Sequence, residues 1–482
     1  MINGKEYSHD IQKFIEDYSK SLRNGNAAIF AGAGLSIPSG AMGWSDLLKD
    51  VAENLGLSND KYVDLITLAQ YYVNQEESRT KLSELIMESF SPRAGLEINE
   101  TQKILSKLPI DTIWTTNYDN LIEKAFKLEY KNVLVKKSPE DFSLSSSRYK
   151  TDVILYKMHG DKDTPEKAII TKDDYETYNE THLVYTTALK GDLVEKKFLF
   201  IGFSFEDPNL EYILARIRSL IGQNKPKHYF FIEKVKRKKD ESDDSLELRK
   251  TKQDLKIKDL KRYRIYAVEI DSYNEDIPNI LQTIKLKVNM NNIFISGASI
   301  EENEKKCSDL VNAIVPKVID DSKNKIISGY GLGIGSLIIN NVLDEITKNR
   351  WLKFDDALKL YPFPQGEYSA KNWTIYRKKM IADAGIAIFI FGTKKDGNGT
   401  EVESNGMLEE FEIAHELGCK IVPVGCSGGA SKKIYETIKS NINEYHNNQR
   451  VIQMIDKLDQ CEISDNEIIG NLIESIILEL KK

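Results

Sequence analysis

Three short stretches of the chain place polar, chemically useful groups where a strand is expected to end. "WTTNYDNLIEKAF" carries Asn117 and Asp119, "YKMHGD" carries His159 and Gly160, and "FIGFSFEDPNL" carries Gly202, Ser204 and Asp207. A fourth, "AAIFAGAGLS", runs from apolar residues into Gly32, Ala33, Gly34 and Ser36, small residues that let backbone N–H groups approach a pyrophosphate. The chemistry these groups suit is the binding of a nucleotide, with one imidazole able to move a proton. Each also has a plainer reading. The glycines fit an ordinary strand-to-helix turn, Asn117 a helix N-cap, His159 a satisfied core histidine, and Asp119 a first-turn carboxylate favoured by the helix dipole. Taken together the site reading prevails, because ligands of open α/β sheets bind outside the carboxyl ends of the strands, where these four loops converge.

A second glycine-rich stretch, "SGYGLGIGS" (residues 328–336), lies almost three hundred residues further on. Its glycines alternate and do not fit G-x-G-x-x-G. Apolar residues at Leu337, Ile338, Ile339, Val342, Leu343 and Ile346 follow with helical spacing, so Gly331, Gly333, Gly335 and Ser336 fall at a helix start able to face an anion. Around it "FISGAS" with Gly297, "YPFPQG" and "FGTKKDGNG" mark further strand ends.

The elements that must hold these loops are legible as two series of β-rich runs alternating with helical patterns. The first comprises residues 27–30, 112–116, 153–158, 198–203, 228–233 and 263–270, and the second residues 292–299, 325–331, 357–364, 385–392 and 420–425. Alternation of this kind predicts an α/β fold with two doubly wound parallel-sheet, Rossmann-like domains, 1–288 and 289–482. Between them, residues 233–262 interleave Asp and Glu with Lys and Arg, the pattern of a solvated surface helix or insertion, and residues 277–288 read as a closing helix.

The 482 residues exceed one ordinary core. A net charge of −7 gives no electrostatic reason to expect nucleic acid. No apolar run reaches the roughly 18 residues of a membrane helix, and the polar start lacks a signal peptide's apolar core, so a cytoplasmic location and no membrane partner are expected. Four cysteines, Cys307, Cys419, Cys426 and Cys461, lack the close paired spacing of zinc or redox sites, and no metal is expected.

The ordered set GAGxS, TxNYD, HG and GFS followed by Asp-Pro-Asn resembles the sirtuin-like NAD-binding domain over about the first 285 residues. The resemblance implies that Asn117 and His159 line the nicotinamide and ribose pocket, and that Ala33, Gly34, Ser36, Gly202 and Ser204 belong to the dinucleotide cradle. Deacylating sirtuins carry a four-cysteine zinc module after the HG element; here no cysteine precedes residue 307. With that module absent, the implied reaction is NAD hydrolysis, with water as acceptor in place of acyl-lysine. Nicotinamide is already a cationic leaving group, so positioned polar groups matter more than strong acid catalysis. His159 suits proton removal from a ribose hydroxyl or the water, and Asn117 orients that water.

The rear half resembles the nucleotide-binding SLOG domain, and the combination resembles the NAD-consuming effector family of Thoeris anti-phage defence. That likeness implies an NADase activated by a cyclic ADP-ribose isomer, the product of a TIR-domain partner, and a homotetramer able to assemble into filaments. It maps the activator contacts onto Arg377 in "IYRKKM", Lys394 in "FGTKKD" and Glu410 in "LEEFEI". Arg and Lys suit a pyrophosphate and a carboxylate suits ribose hydroxyls. From the residues alone Arg377 reads as a surface charge beside Lys378 and Lys379, and Glu409 competes with Glu410. Two further classes stay open: a non-catalytic nucleotide sensor, and a protein deacylase, disfavoured by the missing zinc cysteines.

Overall fold

The computed structural model describes residues 7–57, 64–91, 94–143, 151–205, 210–211, 213–215, 226–299, 303–319, 324–330, 334–349, 352–363, 372–397 and 399–481. The chain divides into two compact units, Met1–Lys285 and Leu286–Lys482. The division falls inside the helix Tyr273–Asn289, which contains the expected closing helix.

The first unit is built on seven parallel strands: β1 (Ala27–Ala31), β2 (Thr112–Thr115), β3 (Val133–Lys136), β4 (Val153–Lys157), β5 (Lys197–Ile201), β6 (His228–Glu233) and β7 (Ile265–Ile270). Their order in the sheet is β3-β4-β2-β1-β5-β6-β7. The chain moves outward in one direction from β1, then returns to place β5 on its other side, so the strand order reverses between β1 and β5. In open α/β sheets that crossing leaves a crevice at the carboxyl ends. Strand β3, an edge strand with partly exposed residues, escaped the sequence reading because four residues ending in Lys136 lack a buried run.

Apolar residues on alternate sides of these strands bury both faces. Ala28, Phe30, Trp114, Phe198 and Phe200 join Tyr185 and Leu189 in one core. A separate helical cluster fills the long connection from β1 to β2: Leu47, Leu48, Val51, Leu68, Tyr72, Leu82 and Ile86 pack with Tyr118 and Ile170 beside the carboxyl-end loops. The mixed-charge stretch forms the helix Asp243–Lys261, largely exposed and anchored by Ile257 and Leu260.

The second unit holds β8 (Asn292–Ala298), β9 (Lys325–Ser328), β10 (Leu358–Leu360), β11 (Ile386–Phe391), the short strands β12 (Thr393–Lys395) and β13 (Glu401–Glu403), and β14 (Lys420–Pro423). Five of them form a parallel sheet in the order β10-β9-β8-β11-β14, again reversing direction beside its first strand. Strand β11 shows why it is covered on both sides: Ile386, Ile388 and Ile390 join one core, and Ala387 and Phe389 the other. The stretch around Lys394 contains the antiparallel pair β12–β13, which the sequence reading did not place. Its strands are three residues each, too short to leave a periodic signal.

At the first crossing two loops touch without side chains between them. Gly34 N–H donates to the Gly202 carbonyl at 2.9 Å, and Gly32 N–H to that of Ile201 at 2.9 Å. Gly202 has φ +66°, and a Cβ there would stand 2.2 Å from Leu35 N. Gly25 has a similar φ of +70° but open space around it. Gly25→Ala isolates the left-handed backbone penalty of about 1–2 kcal/mol, whereas Gly202→Ala adds overpacking, for a loss of about 2–5 kcal/mol. Urea unfolding midpoints of the two variants measure the difference; equal losses would mean that the close approach does not constrain the fold.

Candidate functional site

The site of the first unit is assembled from four loops at the carboxyl ends of β4, β2, β1 and β5, neighbours in the sheet. After β1 the chain turns at once into a 3₁₀ turn, Ala33–Leu35. The amides of Gly32, Gly34, Leu35 and Ser36 donate to protein carbonyls. Among the described residues of this turn, Ala33 carries the amide not engaged in this way, so the turn offers fewer N–H groups to a pyrophosphate than its glycines suggest.

Asn117 is buried, and its side chain fastens this turn. Nδ2 donates to the Gly32 carbonyl and to Ser36 Oγ, both at 3.1 Å, while its backbone N–H is held by Thr115 Oγ1 at 3.0 Å. With both amide hydrogens engaged, the capacity Asn117 retains toward a ligand is that of the acceptor Oδ1. It is not a helix cap: Asn120 holds the cap position of the helix Leu121–Leu128, and Asp119 Oδ1 accepts from Leu121 N at 2.9 Å. Asp119 therefore orders the start of that helix from just before its cap, outside the first turn where the sequence reading put its carboxylate.

His159 is 2% exposed. Its ring lies between Trp44, at 6.3 Å, and Tyr175, edge-on at 5.6 Å, and its carbonyl accepts from Ile169 N at 2.9 Å. Gly160, with φ +86°, carries the loop away against Ala168. Of the remaining residues expected here, Gly202 closes on Gly34 and Ser204 is exposed beyond it. Asp207 lies outside the described residues.

The sequence reading missed Lys157, Asp161 and Glu123. Lys157 Nζ is fully buried and donates to the carbonyls of Tyr118 at 3.1 Å and Asp119 at 2.6 Å, to Glu123 Oε1 at 3.3 Å, and to Asp161 Oδ2. Burial opposes the ammonium charge, yet Glu123 and Asp161 outweigh it and hold the Lys157 pKa above the usual lysine value. Burial pushes the Glu123 carboxyl upward, with Lys157 opposing. A signal existed: in "VILYK" the residues Val153, Leu155 and Lys157 share the buried side of β4, and a charge in that phase requires partners.

In the second unit Gly297 ends β8, where a Cβ would meet Ile334 and Ile390 side chains at 2.8 Å. Gly335 and Ser336 lie in the first turn of the helix Ile334–Lys348, Gly335 against the Tyr330 backbone. Gly331 and Gly333 lie outside the described residues. Arg377 and Glu410 do come together, and Arg377 is no solvated surface charge. Arg377 Nη1 donates to Glu409 Oε2 at 2.6 Å and Nε to Glu410 Oε1 at 3.3 Å, and the guanidinium carbon lies 5.4 Å from the Phe363 ring centre and 5.9 Å from that of Trp373. Ser296, at the end of β8, donates to Glu410 Oε2 at 2.6 Å. Burial raises the Glu410 carboxyl pKa, opposed by Ser296 and Arg377. Glu409 is the more exposed of the two and also accepts from Thr374. Lys394 is exposed on β12, and among the described residues no hydrogen bond or ion pair joins it to Arg377 or Glu410.

Among the described residues no group of three or more His, Cys, Asp or Glu is arranged to hold a metal ion, and no helix is long and apolar enough to cross a membrane.

Comparison with known families places a SIR2-like domain over residues 111–258 and a Sir2- and TIR-associating SLOG family domain over residues 276–480. The chain is 40% identical over 472 residues to the NAD(+) hydrolase ThsA of Bacillus cereus (strain MSX-D12), covering 97% of this chain and 98% of that one. It is 42% identical over 453 residues to the NAD(+) hydrolase ThsA of Acinetobacter baumannii (strain 532279), covering 92% and 93%. The Bacillus subtilis defense-associated sirtuin 2 is similar over a shorter span, 28% identical over 233 residues, 46% of this chain and 22% of that one. With two Rossmann-like units in this order and such identity along nearly the whole length, the chain belongs to the ThsA NAD(+) hydrolase family.

Proposed function

We propose that the first unit hydrolyses NAD+ to nicotinamide and ADP-ribose, and that the second unit binds a cyclic ADP-ribose isomer, made by a TIR-domain partner, which switches the first on. The observation that carries the catalytic half is the meeting of the Asn117 and glycine loops at the reversal of strand order, with the His159 loop on the neighbouring strand. Dinucleotides lie across that crevice in sheets of this kind.

On this reading the glycosidic bond from ribose C1′ to the nicotinamide nitrogen breaks, its electron pair neutralising the pyridinium as nicotinamide departs. Positive charge develops on the ribose and favours positioned acceptors. Asn117 Oδ1 supplies one, for the attacking water or a ribose hydroxyl. As the water oxygen bonds to C1′, His159 takes the released proton. Trp44 and Tyr175 flank the imidazole and shield it from bulk water.

In the second unit Arg377 is the proposed anion-binding residue, with Glu410 beside it for ribose hydroxyls. The planar fork suits a pyrophosphate, and two aromatic rings already fix its orientation. Depletion of cellular NAD in anti-phage defence, assembly as a homotetramer and further assembly into filaments complete the reading. The relatives' names support NAD consumption and a place in defence; the homotetramer and the filaments rest on the family resemblance alone.

Purified protein incubated with NAD, with and without cyclic ADP-ribose isomers, is expected to release nicotinamide and ADP-ribose in response to one isomer; no loss of NAD with any of them would overturn the reading. Asn117→Ala and His159→Ala are each expected to lower kcat by at least about 10²-fold with the activator saturating. Arg377→Ala is expected to lose activation while NAD binding to the first unit, followed by calorimetry, is retained. A normal activator response in that variant would displace the sensing site.

A further inference from the structure

We propose that Lys157 is the positioning residue of this reaction, locking the Asn117 loop and the His159 loop into one arrangement. Its catalytic meaning rests on the function proposed above, and its structural meaning on the geometry alone.

Four acceptors surround one ammonium group. The carbonyls of Tyr118 and Asp119 belong to the two residues directly after Asn117, and the carboxylate of Asp161 to the residue two beyond His159. Glu123, on the helix that follows Asn117, supplies the fourth. The three N–H donors of an ammonium serve this set with one of them shared between two acceptors, and the charge makes such bonds stronger than neutral ones. Asp161 is itself fixed, its Oδ1 accepting from Asp163 N at 2.8 Å.

An apolar side chain would serve stability at least as well. Buried ion pairs seldom outperform well-packed apolar groups of the same volume, because removing two charges from water offsets most of their attraction. What an apolar residue cannot do is hold two polar loops in a single register. At this point of β4 the chain already has Val153 and Leu155 on the buried side, and a third apolar residue would continue that pattern. A lysine in its place ties the backbone beside the amide to the side chain beside the imidazole. Cleavage with water as acceptor requires these two groups to agree on one water position, and misplacement by about 1 Å lowers rates by as much as about 10²-fold. Lys157 touches neither reacting atom on this account and acts through Asn117 and His159.

The test uses the full-length double variant Lys157→Met, Asp161→Asn, which removes the Lys157–Asp161 pair and leaves Glu123 in place, beside the milder Asp161→Asn, which keeps shape if the double variant fails to fold. With cyclic ADP-ribose isomers as activators, kcat for NAD is expected to fall about 10²-fold in the double variant and several-fold in Asp161→Asn, with KM within about twofold of the parent. In a ¹H–¹⁵N spectrum of the histidine side chains, the His159 signals are expected to shift in both variants while those of His228 and His446 stay in place. A folded variant with kcat within about twofold of the parent, or with an unmoved His159 signal, would overturn the positioning role. Should the parent protein itself consume no NAD, the functional reading falls, and the histidine spectrum by itself still decides whether Lys157 fixes the His159 loop.

Discussion

Two backbones without side chains between them set the geometry of the first unit. Gly34 donates to Gly202 where the strand order reverses, and neither position has room for a Cβ. Strands β1 and β5 are neighbours in the sheet but separated by more than 160 residues of chain, so their loops would ordinarily diverge. Close approach holds the crevice narrow at the place where a dinucleotide lies in such sheets. The glycines thus act first as a seam. Of the turn's amides, those of Gly32 and Gly34 donate across the seam and those of Leu35 and Ser36 within the turn.

The seam continues sideways along the order β4-β2-β1-β5. Asn117 ties the β2 loop to the β1 turn, and Lys157 ties the β4 loop to the β2 loop. Beside the apolar packing of Tyr118 with Ile170, each carboxyl-end loop is fastened to the next by polar contacts. Such contacts are directional, which apolar burial is not, and a reacting pair of side chains needs direction. The helical cluster around Leu48 and Ile86 supplies the complementary part, packing on Tyr118 and bringing its own Trp44 beside His159.

The second unit repeats the reversal of strand order with a different lining. Its polar cluster joins Ser296, Arg377, Glu409 and Glu410, and the guanidinium charge is already balanced by two carboxylates. On the proposed reading an arriving pyrophosphate competes with Glu409 and Glu410 for the same fork. A ligand can shift an equilibrium only by its difference in affinity for two states, and rearranged pairing of Arg377 is one way to create that difference.

The sequence by itself determined the two sheets, the position of all their strands but β3, and the four carboxyl-end loops of the first unit. Apolar runs that end in glycine or a small polar residue report both where a strand stops and which loop it feeds. It also showed Asn117 and His159 at strand ends, because polar groups directly after β-rich runs stand out. Only the tertiary structure decided what those groups do locally. Asn117 proved to be a fastener of the glycine turn, Asp119 a helix-start residue, and Arg377 a half-buried partner of two carboxylates rather than a surface charge. The phase of Lys157 on β4 signals in one dimension that it needs partners; which partners it takes depends on carbonyls 38 and 39 residues away in the chain. Hydrogen-bond partners so distant in sequence leave no local periodicity, and the fold alone brings them within reach.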